Sequence, residues 1–383
     1  MSHKTNKTDC NVVEKQILNV GEMASGVELT VPVYRLKGSG HGPSVYIQAN
    51  IHGAEVQGNA VIYQLLEVLQ RQELYGDITL VPYANPVGCN HKNGEYTLGR
   101  FDPITGVNWN RMYHFNQALP GKFVETFPDA DTSTILETFQ QWMLDDIDDQ
   151  LDHNIFGLTT GRRIAYQLQR MALQADLVLD LHTGPISSKH LYCPEYARQS
   201  ASFFDIPHTI LIPNDFAGAL DESTFCPWWD LQQAYKNIGR DLSFNKESFT
   251  VELGSQELID LDEALVDAQS ILSYLQAKGS IADNGFEPQE MTRYGCYLKD
   301  YKVFYSPMGG MVDYLGEFGQ PLAAGQPLAR ILRMDNYGDP DANPLHYLTL
   351  DQTVIPILHF ASASVNQGTE LYKLFSNYFE LKK

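Results

Sequence analysis

Short apolar runs, each long enough for one strand, alternate along this chain with longer segments whose apolar residues recur at helical spacing. The runs are 45–51, 78–83 (ITLVPY), 177–181 (LVLDL), 209–212 (TILI) and 249–253 (FTVEL). Strands that are apolar on both faces are satisfied only in a sheet covered on both sides, usually a parallel one. The intervening segments supply the cover. One carries Val61, Leu65, Val68 and Leu69; another Ile164, Leu168, Met171 and Ala175. A third carries Leu258, Leu261, Leu265, Ala268, Leu272 and Leu275, and Gly279 ends it. The pattern predicts an α/β fold: a mixed, largely parallel sheet with helices on both faces.

From about residue 285 the helical period fades and Gly, Pro and Tyr rise, as in YKVFYSPMGGMVDYLGEFGQPLAAGQPLARIL. This predicts a small all-β domain of hairpins. A chain of 383 residues has room for two domains. The boundary is placed at Asp283-Asn284-Gly285, giving an α/β domain over 1–284 and a C-terminal β domain over 285–383. The SPMGGMV and AGQPLARI segments look like a biotinyl/lipoyl-type hairpin fold, but Met308-Gly309-Gly310-Met311 offers no lysine to modify. The acidic run Asp145, Asp146, Asp148, Asp149 and Asp152 lacks the pattern of a calcium loop and reads as a solvated helix face.

Charge narrows the partners. Lys and Arg number 27 against 47 Asp and Glu, a formal charge of -20. Nucleic acid and anionic membrane surfaces are therefore not expected as partners. The N-terminus has no apolar leader core, and no run of 18 apolar residues occurs, so no membrane span is expected. The five cysteines, Cys10, Cys89, Cys193, Cys226 and Cys296, are scattered and contain no C-x-x-C. They read as reduced thiols in a cytoplasmic protein. A homo-oligomer stays open.

The chemistry-bearing residues sit at strand ends. His52 and Glu55 form H-x-x-E after the first clear strand, and His182 ends DLHTG. A lone H-x-x-E arises often by chance, and a strand-end histidine is usually just hydrogen bonded. Together, at two strand ends of one sheet, they favour the two-His, one-Glu set of a catalytic zinc site. Asp180, two residues before His182, is placed to orient an imidazole. Glu252 lies within an apolar strand run, costly unless paired or used. It reads either as a salt-bridged glutamate or as a general base beside metal-bound water. Asn110 and Arg111, in the loop NWNR, can hold a substrate carboxylate. Arg100, in the same loop, can polarise a carbonyl or hold an oxyanion. For any single arginine the alternative is a surface ion pair.

In order, HGAE, a loop ending N-x-N-R, DLHTG and TVELG resemble the zinc carboxypeptidase-like superfamily over residues 40–340. The small β domain narrows the resemblance to the succinylglutamate desuccinylase/aspartoacylase family. That resemblance implies one Zn2+ per chain on His52, Glu55 and His182, and Glu252 as general base. It implies Arg100 on the scissile carbonyl, Asn110 and Arg111 on a substrate carboxylate, and Arg240 as a further substrate-reading arginine. The implied reaction is hydrolysis of the amide bond of an N-acyl amino acid, with a small-molecule substrate. The alternatives are a metallocarboxypeptidase or peptidoglycan peptidase using the same site, and a non-catalytic binding protein on the same fold. Three features stand apart. Asn108-Trp109 replaces the usual Asp-Leu before Asn-Arg, and the 114–160 segment reads as an insertion over the cleft. A tyrosine supplied by the second domain in some relatives has Tyr301, Tyr305 and Tyr314 as candidates.

Overall fold

The computed structural model describes residues 10–382. The chain is mixed α/β, with a large, mostly parallel sheet, helices, and additional small antiparallel sheets. It divides into two compact units. No described helix is long and apolar enough to cross a membrane.

Unit 1 comprises the described part of Met1–His182 with Asn214–Thr250 and Glu257–Pro288. Within it the strands Ile78–Val81, Val45–Ala49 and Leu177–Gly184 run parallel in that order. Val45–Ala49 and Leu177–Gly184 are buried along their whole length, as the continuous apolar runs require. Their register sets Gln48 opposite Asp180 and Ala49 opposite Leu181. The carboxyl ends of both strands therefore fall on one edge, where open α/β sheets place ligand sites. The helix Gln57–Leu69 returns across these strands. A Cβ on Gly58 would stand 2.8 Å from Ala49 Cβ and 3.0 Å from Leu181 Cβ, so glycine permits the close approach.

Unit 1 also begins with an antiparallel pair that the sequence reading left out, Val13–Glu22 with Glu28–Leu36. Its second strand buries Leu29, Val31 and Val33 in alternation, and then Leu36. This half-buried period-two signal is weaker than a run of apolar residues. The 114–160 segment folds as the helices Leu119–Thr126 and Thr132–Asp152, the second capped by Asp131 accepting from Thr134 N at 2.9 Å. Ile135, Phe139, Met143 and Ile147 form its buried face. Phe139 packs edge-on against Phe123 and Trp228, each at 5.2 Å between centroids. The insertion is thus part of the unit 1 core. Of its acidic residues, Asp148 pairs with Arg170 and Asp146 with His114, while Asp145, Asp149 and Asp152 are exposed.

Unit 2 comprises Thr183–Pro213, Val251–Gln256 and the described part of Gln289–Lys383. The strands His190–Pro194, His208–Ile212 and Tyr294–Tyr297 run parallel, and Phe379–Glu380 pairs antiparallel with the last. Two antiparallel four-stranded sheets follow. One orders Tyr301–Tyr305, Glu370–Phe375, Ile355–His359 and Ile186–Ser187. The other orders Leu345–Thr349, Pro327–Leu332, Gly310–Tyr314 and Ser364–Val365. Leu328, Ile331, Val354, Leu371 and Tyr372 are at the centre of their core.

Candidate metal centre

In unit 1 the chain leaves the Val45–Ala49 strand, turns, and presents His52 and Glu55 before the helix at Gln57 begins. His182 arrives from the neighbouring strand. One ligand atom from each of His52, Glu55 and His182 lies within 4.8 Å of the others. His52 Nδ1 is 2.9 Å from Glu55 Oε1, and His182 Nδ1 is 2.8 Å from Glu55 Oε2. All three residues are at most 4 % exposed. The far nitrogens are held from outside. His52 Nε2 lies 2.8 Å from Asn108 Oδ1, and His182 Nε2 lies 2.8 Å from Asp180 Oδ2. Donation outward from Nε2 turns each Nδ1 toward the carboxylate between them. Two inward imidazole nitrogens and a carboxylate, with outer acceptors already placed, form a donor set that fits zinc.

The electrostatics of the three differ. Burial alone would raise the pKa of Glu55, but His52 and His182 overcome it and hold the carboxylate well below its ordinary range. Burial pushes His52 down, helped by His182 and Arg100 and opposed by Glu55. Burial also disfavours charge on His182, yet Asp180 and Glu55 outweigh it and raise its pKa well above the ordinary value. Asp180 is fully buried and accepts from Gln48 Nε2 at 3.0 Å. Gln48 in turn accepts from Tyr46 Oη at 2.9 Å. Further out, Asp221 is pushed up to about 7 by burial, then by Glu222 and Asp180.

The fold brings several expected residues to the centre and spends others elsewhere. Arg100 Nη1 lies 3.2 Å from Glu55 Oε1, with its side chain 47 % exposed. Asn110 is buried, its Nδ2 lying 3.2 Å from His182 Nε2 and its Oδ1 accepting from Leu220 N at 3.1 Å. Arg111 is exposed and donates to its neighbour's carbonyl, Asn110 O, at 2.5 Å. Arg240 donates to Pro128 O and Ala130 O, both at 2.6 Å, and lies over the Tyr235 ring at 4.8 Å. Its guanidinium thus ties down the turn between the two insertion helices, and reading a substrate would mean giving up those bonds. Sequence reasoning missed the contact made by Asn108. The available signal was the N-x-N spacing, because Asn108 Oδ1 also accepts from Asn110 N at 2.9 Å in a local Asx turn. Gln48 and Asp221 were also missed, both being polar residues buried in apolar surroundings.

Unit 2 carries Glu252, half-buried on the strand Glu247–Ser255. Of the three candidate tyrosines, burial holds the Tyr301 hydroxyl protonated, and Tyr192 and the Glu252 charge add to this. Tyr305 is exposed. Tyr314 donates to Ser362 O at 3.0 Å and stacks on His359 at 3.9 Å. Tyr301 is therefore the candidate electrically coupled to Glu252.

Comparison with known proteins agrees with this geometry. The model of the succinylglutamate desuccinylase/aspartoacylase catalytic domain matches residues 41–277. A crystal structure from Shewanella frigidimarina, provisionally named succinylglutamate desuccinylase/aspartoacylase, is 51 % identical with a TM-score of 0.94, covering 97 % of this chain and 99 % of that one. A protein provisionally placed in the same family, from Shewanella amazonensis, is 54 % identical with a TM-score of 0.92, covering 96 % and 100 %. An N-alpha-acetyl-L-2,4-diaminobutyric acid deacetylase from Halomonas elongata is 24 % identical over 353 residues, 88 % of this chain and 83 % of that protein. With its family model matched over most of its length and its ligand-type residues gathered in one buried cluster, the chain belongs to the succinylglutamate desuccinylase/aspartoacylase family of deacylases.

Proposed function

We propose that this protein is a zinc-dependent hydrolase that cleaves the amide bond of an N-acyl amino acid, with one zinc per chain on His52, Glu55 and His182. The observation that carries the reading is the buried convergence of those side chains, each imidazole already oriented from outside. Bound zinc supplies Lewis acidity, polarising a carbonyl and acidifying water. Glu252 takes the proton from water as it adds to the carbonyl, then delivers it to the leaving amine as the C–N bond breaks. The products are a carboxylic acid and a free amine. Arg100, beside Glu55, stabilises the negative oxygen that develops. Asp180 holds His182 in place by accepting from its Nε2, and the Asn110 amide packs beside that nitrogen. Arg111, whose guanidinium is exposed, grips a substrate carboxylate through its fork. Arg240 supports the 128–130 turn. The Halomonas deacetylase supports an acyl amino acid as substrate, and the chain's charge of -20 disfavours nucleic acid. A cytoplasmic location fits the scattered cysteines.

The test combines metal analysis with a substrate screen. Purified protein should hold one zinc per chain and hydrolyse at least one member of a panel of N-acetyl-, N-succinyl- and N-formyl-amino acids. Glu252→Gln should keep zinc and fold while turnover falls by ~10²–10⁴-fold. Near-normal kcat in that variant would remove Glu252 from the mechanism.

A further inference from the structure

We infer that Asn50 is the positioning residue of the metal centre and that Cys89 anchors it; this rests on the metal reading above. Asn50 follows the strand Val45–Ala49 and has φ +66°, a left-handed conformation that asparagine tolerates better than most residues. Its side chain is buried, with the residue only 1 % exposed. The amide Nδ2 donates to His52 O at 2.8 Å, to Gly53 O at 3.1 Å and to Glu55 O at 3.3 Å. The two N–H groups of one amide are thus shared among three carbonyls of the turn that carries two of the three ligands. Its Oδ1 accepts from Cys89 Sγ at 2.7 Å. Burial pushes the Cys89 thiol up to about 11, so it stays protonated and able to donate. Asn85 Nδ2 holds Ile51 O at 2.9 Å, and Ala54 O accepts from Glu257 N at 2.8 Å.

This geometry makes the distance between His52 and Glu55 a property of Asn50. Aspartate would bring charge and no donor to those carbonyls. Glycine would keep the left-handed backbone but leave the carbonyls without their amide. Alanine would do the same and add backbone strain. The clamp therefore separates into a backbone part, which glycine rescues, and an amide part, which it does not.

The experiment measures zinc Kd by chelator competition and the visible d–d absorption of the cobalt-substituted protein, alongside thermal melts. Asn50→Gly should melt higher than Asn50→Ala, yet bind zinc about 10–100-fold more weakly than the unaltered protein, the scale of losing an outer support. Its cobalt spectrum should shift. Cys89→Ser, which keeps an O–H donor, should bind zinc as the unaltered protein does, and Cys89→Ala should bind it more weakly. If Asn50→Gly does not fold, the Cys89 pair decides alone. Unaltered zinc Kd and cobalt spectrum in Asn50→Gly, or equal Kd in Cys89→Ser and Cys89→Ala, would overturn the inference and leave the metal reading standing. Failure of the unaltered protein to bind one metal would overturn both.

Discussion

His52 and His182 present the same ring atom to the same carboxylate, each to its own oxygen of Glu55. Behind His52 stands a neutral amide, Asn108; behind His182 stands a buried carboxylate, Asp180. The first imidazole is driven toward its neutral form by burial, the second toward its charged form by Asp180 and Glu55 despite burial. Burial and Glu55 act on both rings; the Asp180 carboxylate behind His182, set against the cations His182 and Arg100 beside His52, makes the difference. A neutral acceptor orients an imidazole without adding charge. A carboxylate orients it and also makes it a more basic ligand.

The largest expected effects come from the rings themselves. His52→Ala and His182→Ala should each lose zinc and activity together, because each removes a ligand whatever stands behind it. Retention of one zinc per chain in either variant would take that residue out of the ligand set. The outer partners come next. Asp180→Ala should weaken zinc binding by about 10–100-fold, and Asn108→Ala by less than about tenfold. Equal losses would break the comparison, since orientation alone would then account for both partners. Asn108→Asp sharpens it: placing a second carboxylate behind an inward imidazole should tighten zinc binding relative to the unaltered protein. Looser binding in this variant would mean that the neutral amide is needed for the Asx turn it closes with Asn110 N.

The smallest effect concerns Asp221, whose carboxyl lies in the field of Asp180. Its folded pKa of about 7 is raised, against about 4 for an exposed aspartate. Between those values the folded chain holds a proton that the unfolded chain has released. Stability linked to Asp221 is therefore present in full below about pH 4 and is lost as pH rises toward 7. Asp221→Asn, which stays neutral, should melt above the unaltered protein at pH 8, with the gap closing toward pH 4. A gap that does not change with pH would show that the Asp221 pKa is the same in the folded and unfolded chain.

What was legible without coordinates had local causes. The buried strands at Val45–Ala49 and Leu177–Gly184 announce themselves because a parallel strand covered on both faces must be continuously apolar. His52, Glu55 and His182 stand out because ligand-type side chains at the ends of such strands are chemically conspicuous. The change to hairpins after residue 285 shows in the loss of helical period, and every regular element longer than one turn beyond that point is a strand. The pair Val13–Glu22 and Glu28–Leu36 escaped notice because only alternate residues on its second strand are buried and Pro32 interrupts the run.

The sequence by itself determined the fold class, the central buried strands and the types of side chain available for chemistry, because hydrophobic period and residue chemistry act over a few positions. Only the tertiary structure decided what each polar residue does. Asp180 could be placed near His182 from a two-residue spacing, but Gln48 behind it comes from a strand 132 positions away, through parallel register. Asn108 is one more loop asparagine until the fold carries it 56 positions back to His52. Arg240 has the chemistry of a substrate clamp, and the contacts it makes are the carbonyls of Pro128 and Ala130. A buried donor must find an acceptor, and which acceptor it finds depends on chain segments far apart in sequence that packing brings within about 3 Å.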